Sequence, residues 1–292
     1  MFIEPYRKLK EIFDNERLAI NYLLDNNYIN KYENCDICDR KTRFDYKRKL
    51  FICRNYKCEK SKSPFSGTIF NKKKLPINIQ LHILYEFLKK STGSSISSSL
   101  EIDKNTVSSY KKIFRTHIKN KQLINKRNKI GGRNHVVEID ETKIGKRKYN
   151  KGHRVEGVWV IGGIERSRLK NKLPYENKKL FMCPILKRNS ESIEEIINKH
   201  VKKGTTIYTD LWKGYKNINK LGYRHGTVNH SKHFKDPITK IHTNNIESLW
   251  NAVKQGIPIR NRNKKFIYLH LKEYQWRRRY KENNIWKEFL KD

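Results

Sequence analysis

"HVVEIDETKI", residues 135–144, is the stretch whose reading decides the fold. Val136, Val137 and Ile139 make it a β-rich run, and it ends in a pair of acids, Asp140 and Glu141. A strand's period of two puts Glu138 on the face of Asp140 and Glu141 on the opposite face, so Asp140 and Glu141 do not easily serve one ion. Four more β-rich runs follow: "VEGVWVIGGIE" (155–165), "KLFMCPIL" (179–186), "TTIYTD" (205–210) and "YRHGTVNH" (223–230). The first three strands succeed one another as a meander would. "SESIEEIINKHV" (190–201) then predicts a helix, residues 213–220 another, and residues 244 onward a third. The order β-β-β-α-β-α-β-α predicts an α/β (α+β) fold, a mixed sheet flanked by helices.

Working outward, the chain divides. Residues 8–25 look helical, with Leu9, Ile12, Phe13, Leu18, Leu23 and Leu24 as apolar points. Residues 76–118 read as helices broken at "STGSS" and "EIDKN", and the basic linker "KNKQLINKRNKIGGRN" ends in Gly131-Gly132, which marks a boundary. The expected domains are an N-terminal helical segment (1–32), a cysteine-bearing segment (33–72), a second helical segment (73–130) and the sheet domain (131–292).

Cys35-x2-Cys38 and Cys53-x4-Cys58, with 14 residues between the pairs, form two knuckles that can close on one tetrahedral Zn2+. Four thiolates leave no open position, so the site is structural and supplies folding energy to a zinc ribbon with little core of its own. Phe44, Tyr46 and Phe51 are placed to pack beside it. Cys183 reads as a buried thiol.

"SSISSSLEIDKNTVSSYKKIFRTHI" (94–118) looks like a helix-turn-helix. Ile96 and Leu100 give the first helix an apolar face; Asp103 can cap a second that turns Val107, Tyr110, Ile113 and Phe114 inward. Lys104, Lys111, Lys112 and Arg115 are then available to DNA phosphates. The competing reading is a helical hairpin with a solvated basic face.

A formal net charge of +37 over 292 residues calls for a polyanionic partner, nucleic acid before anything else. No apolar run approaches the ~20 residues of a membrane span, and the first residues carry acids and no apolar signal core. The expectation is a soluble intracellular protein that binds DNA and no membrane.

Asp210 closes a strand just before a helix, where N-capping is the plain alternative. In "HTNNIESLWNAVK" (242–254), Ile246, Leu249, Trp250 and Val253 form a core stripe, with Glu247 and Lys254 two turns apart on its flank. Asn244 and Glu247 also fit a capping box, and Gly256 and Pro258 stop the helix. Two strand-end aspartates and a helical glutamate in this frame can instead gather two divalent cations for phosphodiester chemistry; oxygen ligands favour Mg2+ or Mn2+.

"VEIDETKIGKRKYNKG", "WVIGGIER", "TDLWKGY", "GYRHGTVNHS" and "HTNNIESLWNAVK", in that order, with the cysteine knuckles, "SPFSGTIF" and "KLP", resemble the DDE transposases of the Merlin superfamily and their bacterial insertion-sequence (ISXO-like) relatives. The resemblance runs from about residue 10 to about residue 285. It implies an RNase H-like catalytic domain behind the zinc ribbon and helix-turn-helix-like segment. Asp140, Asp210 and Glu247 are the implied metal-binding triad, Lys254 a residue turned toward DNA, and Asn244 or Asn245 a helper. The implied function is cleavage at transposon ends and strand transfer into target DNA by a homo-oligomer, in the nucleus of a eukaryote or the cytoplasm of a bacterium. The alternatives are a domesticated, catalytically inert zinc-ribbon DNA binder, and a nuclease of the same fold that cuts without joining. His225, His230 and His242 read as structural or DNA-contacting.

Overall fold

The computed structural model describes residues 2–124, 129–145, 157–166, 179–229 and 236–291. His230 and most of "GKRKYNKG" lie outside them. The chain forms two compact units, one of Met1–Ile118 with Tyr280–Asp292, the other of Lys119–Arg279.

In the first unit, the expected helix over residues 8–25 is two, α1 (Tyr6–Asp14) and α2 (Glu16–Asp25). Asn15 leaves helical geometry between them, and its side-chain oxygen accepts from the N–H of Arg17 and Leu18, capping α2. That break turns Leu18 outward; it is exposed, not a core point. A three-stranded antiparallel sheet follows, β1 (Thr42–Asp45), β2 (Leu50–Cys53) and β3 (Ser61–Lys62). Then come α3 (Ile77–Leu88), α4 (Gly93–Leu100) and α5 (Lys104–Ile124). Near the carboxyl end, α9 (Ile285–Leu290) joins this unit rather than the sheet domain. Its residues are apolar enough to demand a core: Trp286 packs against Phe13 and Tyr85, and Phe289 against Phe114.

The second unit is built on five strands: β4 (Val136–Ile144), β5 (Val158–Glu165), β6 (Leu180–Ile185), β7 (Thr206–Asp210) and β8 (Arg224–Val228). Their spatial order is β6-β5-β4-β7-β8. β4–β5 and β5–β6 are antiparallel; β4–β7 and β7–β8 are parallel. This is the mixed sheet expected from the strand runs, and it fits the RNase H-like fold that the family resemblance implies. α6 (Ser190–His200) lies against one face, over Val137, Ile139, Ile161 and Ile207. α7 (Asn244–Gly256) and α8 (Ile267–Arg279) supply the core of the other, over Val158, Val160, Ile164 and Met182. The helix expected over 213–220 is instead two 3₁₀ turns, Lys213–Tyr215 and Ile218–Leu221. Gly214 lets the Trp212 ring lie over the first of these turns: a Cβ there would lie 2.0 Å from that ring.

Gly131 and Gly132 are packed onto the second unit rather than bridging a gap. The Gly131 N–H donates to Glu165 at 2.9 Å and the Gly132 N–H to Thr205 Oγ1 at 2.8 Å. Gly131 has φ +80°, and a Cβ on it would meet Thr205 Oγ1 at 2.4 Å, so only glycine fits.

Candidate active site and zinc centre

β4 pairs with β7 through Val136↔Thr206, Val137↔Ile207 and Glu138↔Tyr208. Asp140 and Asp210 each lie two residues past the last pair of that ladder, on their own strands. Both strands run the same way, and both acids sit on the face covered by α7, since Ile139 and Ile207 belong to the opposite core. Burial raises the Asp140 carboxyl to about 7, helped by the neighbouring charges of Glu141 and Asp210. A hydrogen bond from Trp250 works the other way: its Nε1–H donates to Asp140 Oδ2 at 3.0 Å. Asp210 Oδ1 accepts from the Trp212 N–H at 3.0 Å, an acceptor for the turn that follows.

Glu247 lies one turn before Trp250 on α7, half-buried, and its Oε1 accepts from Thr243 Oγ1 at 3.1 Å. The expected capping box is not what starts this helix. Thr243 is the cap residue and Asn244 the first helical one. The open amides of the first turn are met from the sheet: Glu138, fully buried on β4, accepts from Asn245 N at 2.9 Å, Ile246 N at 3.1 Å and Asn245 Nδ2 at 2.5 Å. Arg166 balances its charge, donating to Glu138 at 2.6 Å and to the His242 carbonyl at 2.6 Å while stacking on Tyr208. The helix carrying Glu247 is therefore clamped to the strand carrying Asp140.

Glu141, on the opposite face, is also internal. It accepts from Arg188 Nε at 2.7 Å and from the Tyr215 hydroxyl. Arg188 stacks on Trp212, 4.0 Å from the ring centre, and on Trp159 at 4.9 Å. Glu138, Glu141, Arg166, Arg188 and the Trp250–Asp140 bond were not singled out from the sequence. Strand alternation showed the opposite faces of Glu138 and Glu141 but not their partners, which lie far away in sequence.

The carboxylate pair suits hard divalent cations: two oxygen donors of like charge on one face, one of them pushed up by its surroundings, are what such an ion relieves. Asp140, Asp210 and Glu247 are not drawn together as the thiols are. Cys35, Cys38, Cys53 and Cys58 have ligand atoms all within 4.8 Å of one another, and among the described residues they are the one group of three or more acids, histidines or cysteines close enough to hold an ion. Cys35 and Cys58 sulfurs stand 3.7 Å apart, Cys38 and Cys53 3.4 Å. Thiolates ~2.3 Å from a tetrahedral zinc would stand ~3.8 Å apart. The Arg40 backbone N–H, then Cys53, lowers the Cys38 thiol to about 7; the Ile37 N–H lowers Cys35. Phe44 packs against both Tyr46 and Phe51, ring centres 4.9 Å apart, beside this centre.

The helix-turn-helix residues sort into two sets. Asp103 caps α5 through Asn105 N and Thr106 N, and Val107, Tyr110 and Phe114 are buried. Lys104 and Lys112 are exposed, but Lys111 Nζ donates to the Ser91 carbonyl at 2.8 Å and Arg115 stacks on Phe87. His225 pairs with Thr209 Oγ1 at 2.9 Å, and burial lowers its pKa. Cys183 is half-buried, 3.3 Å from His200 Nε2. Lys254 is half-buried on α7, and its carbonyl accepts from Arg262.

Comparisons with known proteins bear mainly on the second unit. Residues 129–283 match the ISXO2-like transposase domain. An uncharacterized transposase-like protein of Haemophilus influenzae (strain ATCC 51907 / DSM 11121 / KW20 / Rd) is 30% identical over 105 residues, spanning 34% of this chain and 80% of that protein. A pre-cleavage Mos1 transpososome and a Mos1 strand transfer complex overlap 72% of this chain and 76% of theirs at 9% identity, with TM-scores of 0.21 and 0.22, too loose to bear on fold or function. More than half the chain, including every strand of the five-stranded sheet, lies within the family match, and the protein belongs to the ISXO2-like transposase family.

Proposed function

We propose that this protein is a DNA transposase that cuts at transposon ends and transfers the freed strand to target DNA. Asp140 and Asp210, on one sheet face and each two residues past the last β4–β7 pair, in a chain of this family, carry the reading. Glu247 completes the acidic set from α7. In the first step water attacks the phosphorus of a phosphodiester, and the 3′-oxygen leaves and is protonated. In the second, that 3′-hydroxyl attacks a target phosphodiester in line and displaces its 3′-oxygen, so the number of phosphodiester bonds is kept. Divalent Mg2+ or Mn2+ held by the three carboxylates would supply charge stabilisation to the attacking and leaving oxygens.

The chain's own groups supply position. Trp250 orients Asp140 by its hydrogen bond, and Glu138 fixes the start of α7 and with it the height of Glu247. The excess of basic residues draws the DNA in. Lys104 and Lys112 on α5 and Lys254 on α7 are the proposed phosphate contacts; Lys111 and Arg115, already engaged within the fold, are kept as secondary ones. Zn2+ on the four cysteines holds the ribbon folded. The active form is proposed to be a homo-oligomer on DNA.

The test is strand transfer by the purified chain with Mg2+ or Mn2+, labelled terminal-repeat DNA and a supercoiled target. Joining that disappears in Asp210→Asn supports the proposal. Asn keeps an oxygen for the Trp212 N–H, so the turn survives. Cutting without joining would indicate a hydrolytic nuclease, and tight binding with neither would indicate an inert DNA binder.

A further inference from the structure

A cleft of about 480 Å³ opens in the second unit where β4 ends, β5 begins, β6 ends and α8 begins. That volume lies within the ~300–1,000 Å³ of small-molecule sites. Its walls combine aromatic and cationic side chains: Trp159 and Tyr268 with Lys143 and Lys264, beside the apolar Ile185 and Leu186. No acid is among the described residues that line it. Lys143 and Trp159 are cross-strand partners, and the Lys143 ammonium sits 5.9 Å from the Trp159 ring centre. Lys119 and Lys272 flank the Tyr268 ring at 5.8 and 5.5 Å.

None of this is needed to explain the acids, yet the cleft is connected to them. From Asp210 the chain runs to Trp212, which stacks on Arg188, which stacks on Trp159 at the cleft wall. Lys143 lies three residues beyond Asp140 on β4, ~10 Å along the strand at ~3.3 Å per residue, and it shares with Trp159 the sheet face opposite to Asp140.

We propose that this cleft holds one unstacked nucleotide of a bound single DNA strand, its base against Trp159 and Tyr268 and its phosphates against Lys143 and Lys264. Aromatic faces accept any base, and ammonium groups at the rim meet the backbone, so the contact is tolerant of sequence. The inference rests on the reading of the chain as a DNA-processing enzyme.

The test uses the full chain without divalent ions, a 20-nucleotide oligo-dT, and the same strand with a central run of abasic sites. The wild type is expected to bind the base-bearing strand about five- to a hundredfold more tightly, the range that stacking of one base supplies. Trp159→Ala should remove most of that gap and Trp159→Phe should keep it. Leu186→Glu, at a residue 97% exposed and so without a folding cost, should narrow the gap by placing an acid at the rim. A wild type with no gap, or a gap unchanged in both Trp159→Ala and Leu186→Glu, would overturn the proposal. Metal-dependent joining with no gap would discard the cleft and leave the transposase reading intact. A gap lost in the variants, in a chain that neither cuts nor joins, would keep the cleft and discard that reading.

Discussion

Trp250 donates its indole N–H to Asp140 across 3.0 Å because Gly162 leaves room for it. Gly162 is the β5 partner of Asp140, and a Cβ there would lie 2.6 Å from the Trp250 ring. One missing methyl thus decides where the tryptophan sits and how Asp140 is held. Gly162→Ala is expected to push Trp250 aside, break its bond to Asp140 and cost about 1–3 kcal/mol from overpacking. Denaturant unfolding reads the cost, and a shift in tryptophan emission reads the displacement.

The raised Asp140 carboxyl gives the metal-free fold a definite pH dependence. An acid with a native value of about 7 and an unfolded value near 3.9 favours the protonated native state. Its penalty on folding is absent below about pH 4, and stability is lost as pH rises through 7. Melting temperature should therefore fall across that interval, and Asp140→Asn should flatten the fall. Mg2+ or Mn2+ should raise the melting temperature more at pH 8 than at pH 5.5, and the variant should lose that difference.

Under the proposed zinc reading, one divalent ion holds the four sulfurs together by neutralising them as thiolates. The purified chain should carry one Zn2+, and chelation or Cys53→Ser should unfold the β1–β3 ribbon. Metal analysis and the near-ultraviolet spectrum of Phe44, Tyr46 and Phe51 would follow both.

On α5 two neighbouring lysines should behave differently. Lys112→Ala should weaken DNA binding and lower its salt slope by about one ion, as a phosphate contact does. Lys111→Ala removes the tie to the Ser91 carbonyl and should show mainly as lost stability. Binding across a salt series, beside thermal melts, separates them.

β4, β5 and β7 were legible as runs rich in β-branched residues and β6 as an apolar run, while β8, Arg-His-Gly-Thr-Val, carries only Thr227 and Val228 of that mark. The four-cysteine cluster was legible from spacing alone. The start of α7 was not. Asn244 and Glu247 have the local spacing of a capping box, but the acceptor that meets the first-turn amides is Glu138, more than a hundred residues upstream. Local spacing cannot announce a partner brought in by the sheet. The same limit hid the Arg188–Trp212–Trp159 stack and the engagement of Lys111. The break at Asn15 was local and readable in principle, since Asn before Glu-Arg-Leu is a cap signal.

The most direct measurement compares Glu247→Gln with Glu138→Gln for cutting and joining of labelled end DNA, each beside its unfolding free energy. Glu247→Gln keeps an oxygen for Thr243, so it is predicted to lower cutting at least about a hundredfold while changing stability by no more than about 0.5 kcal/mol. Glu138→Gln, which unbalances a buried charge pair, is predicted to cost about 3–5 kcal/mol in folding. If Glu247→Gln cuts and joins like the wild type, or loses activity only in proportion to lost stability, then Glu247 belongs to the helix and not to the chemistry.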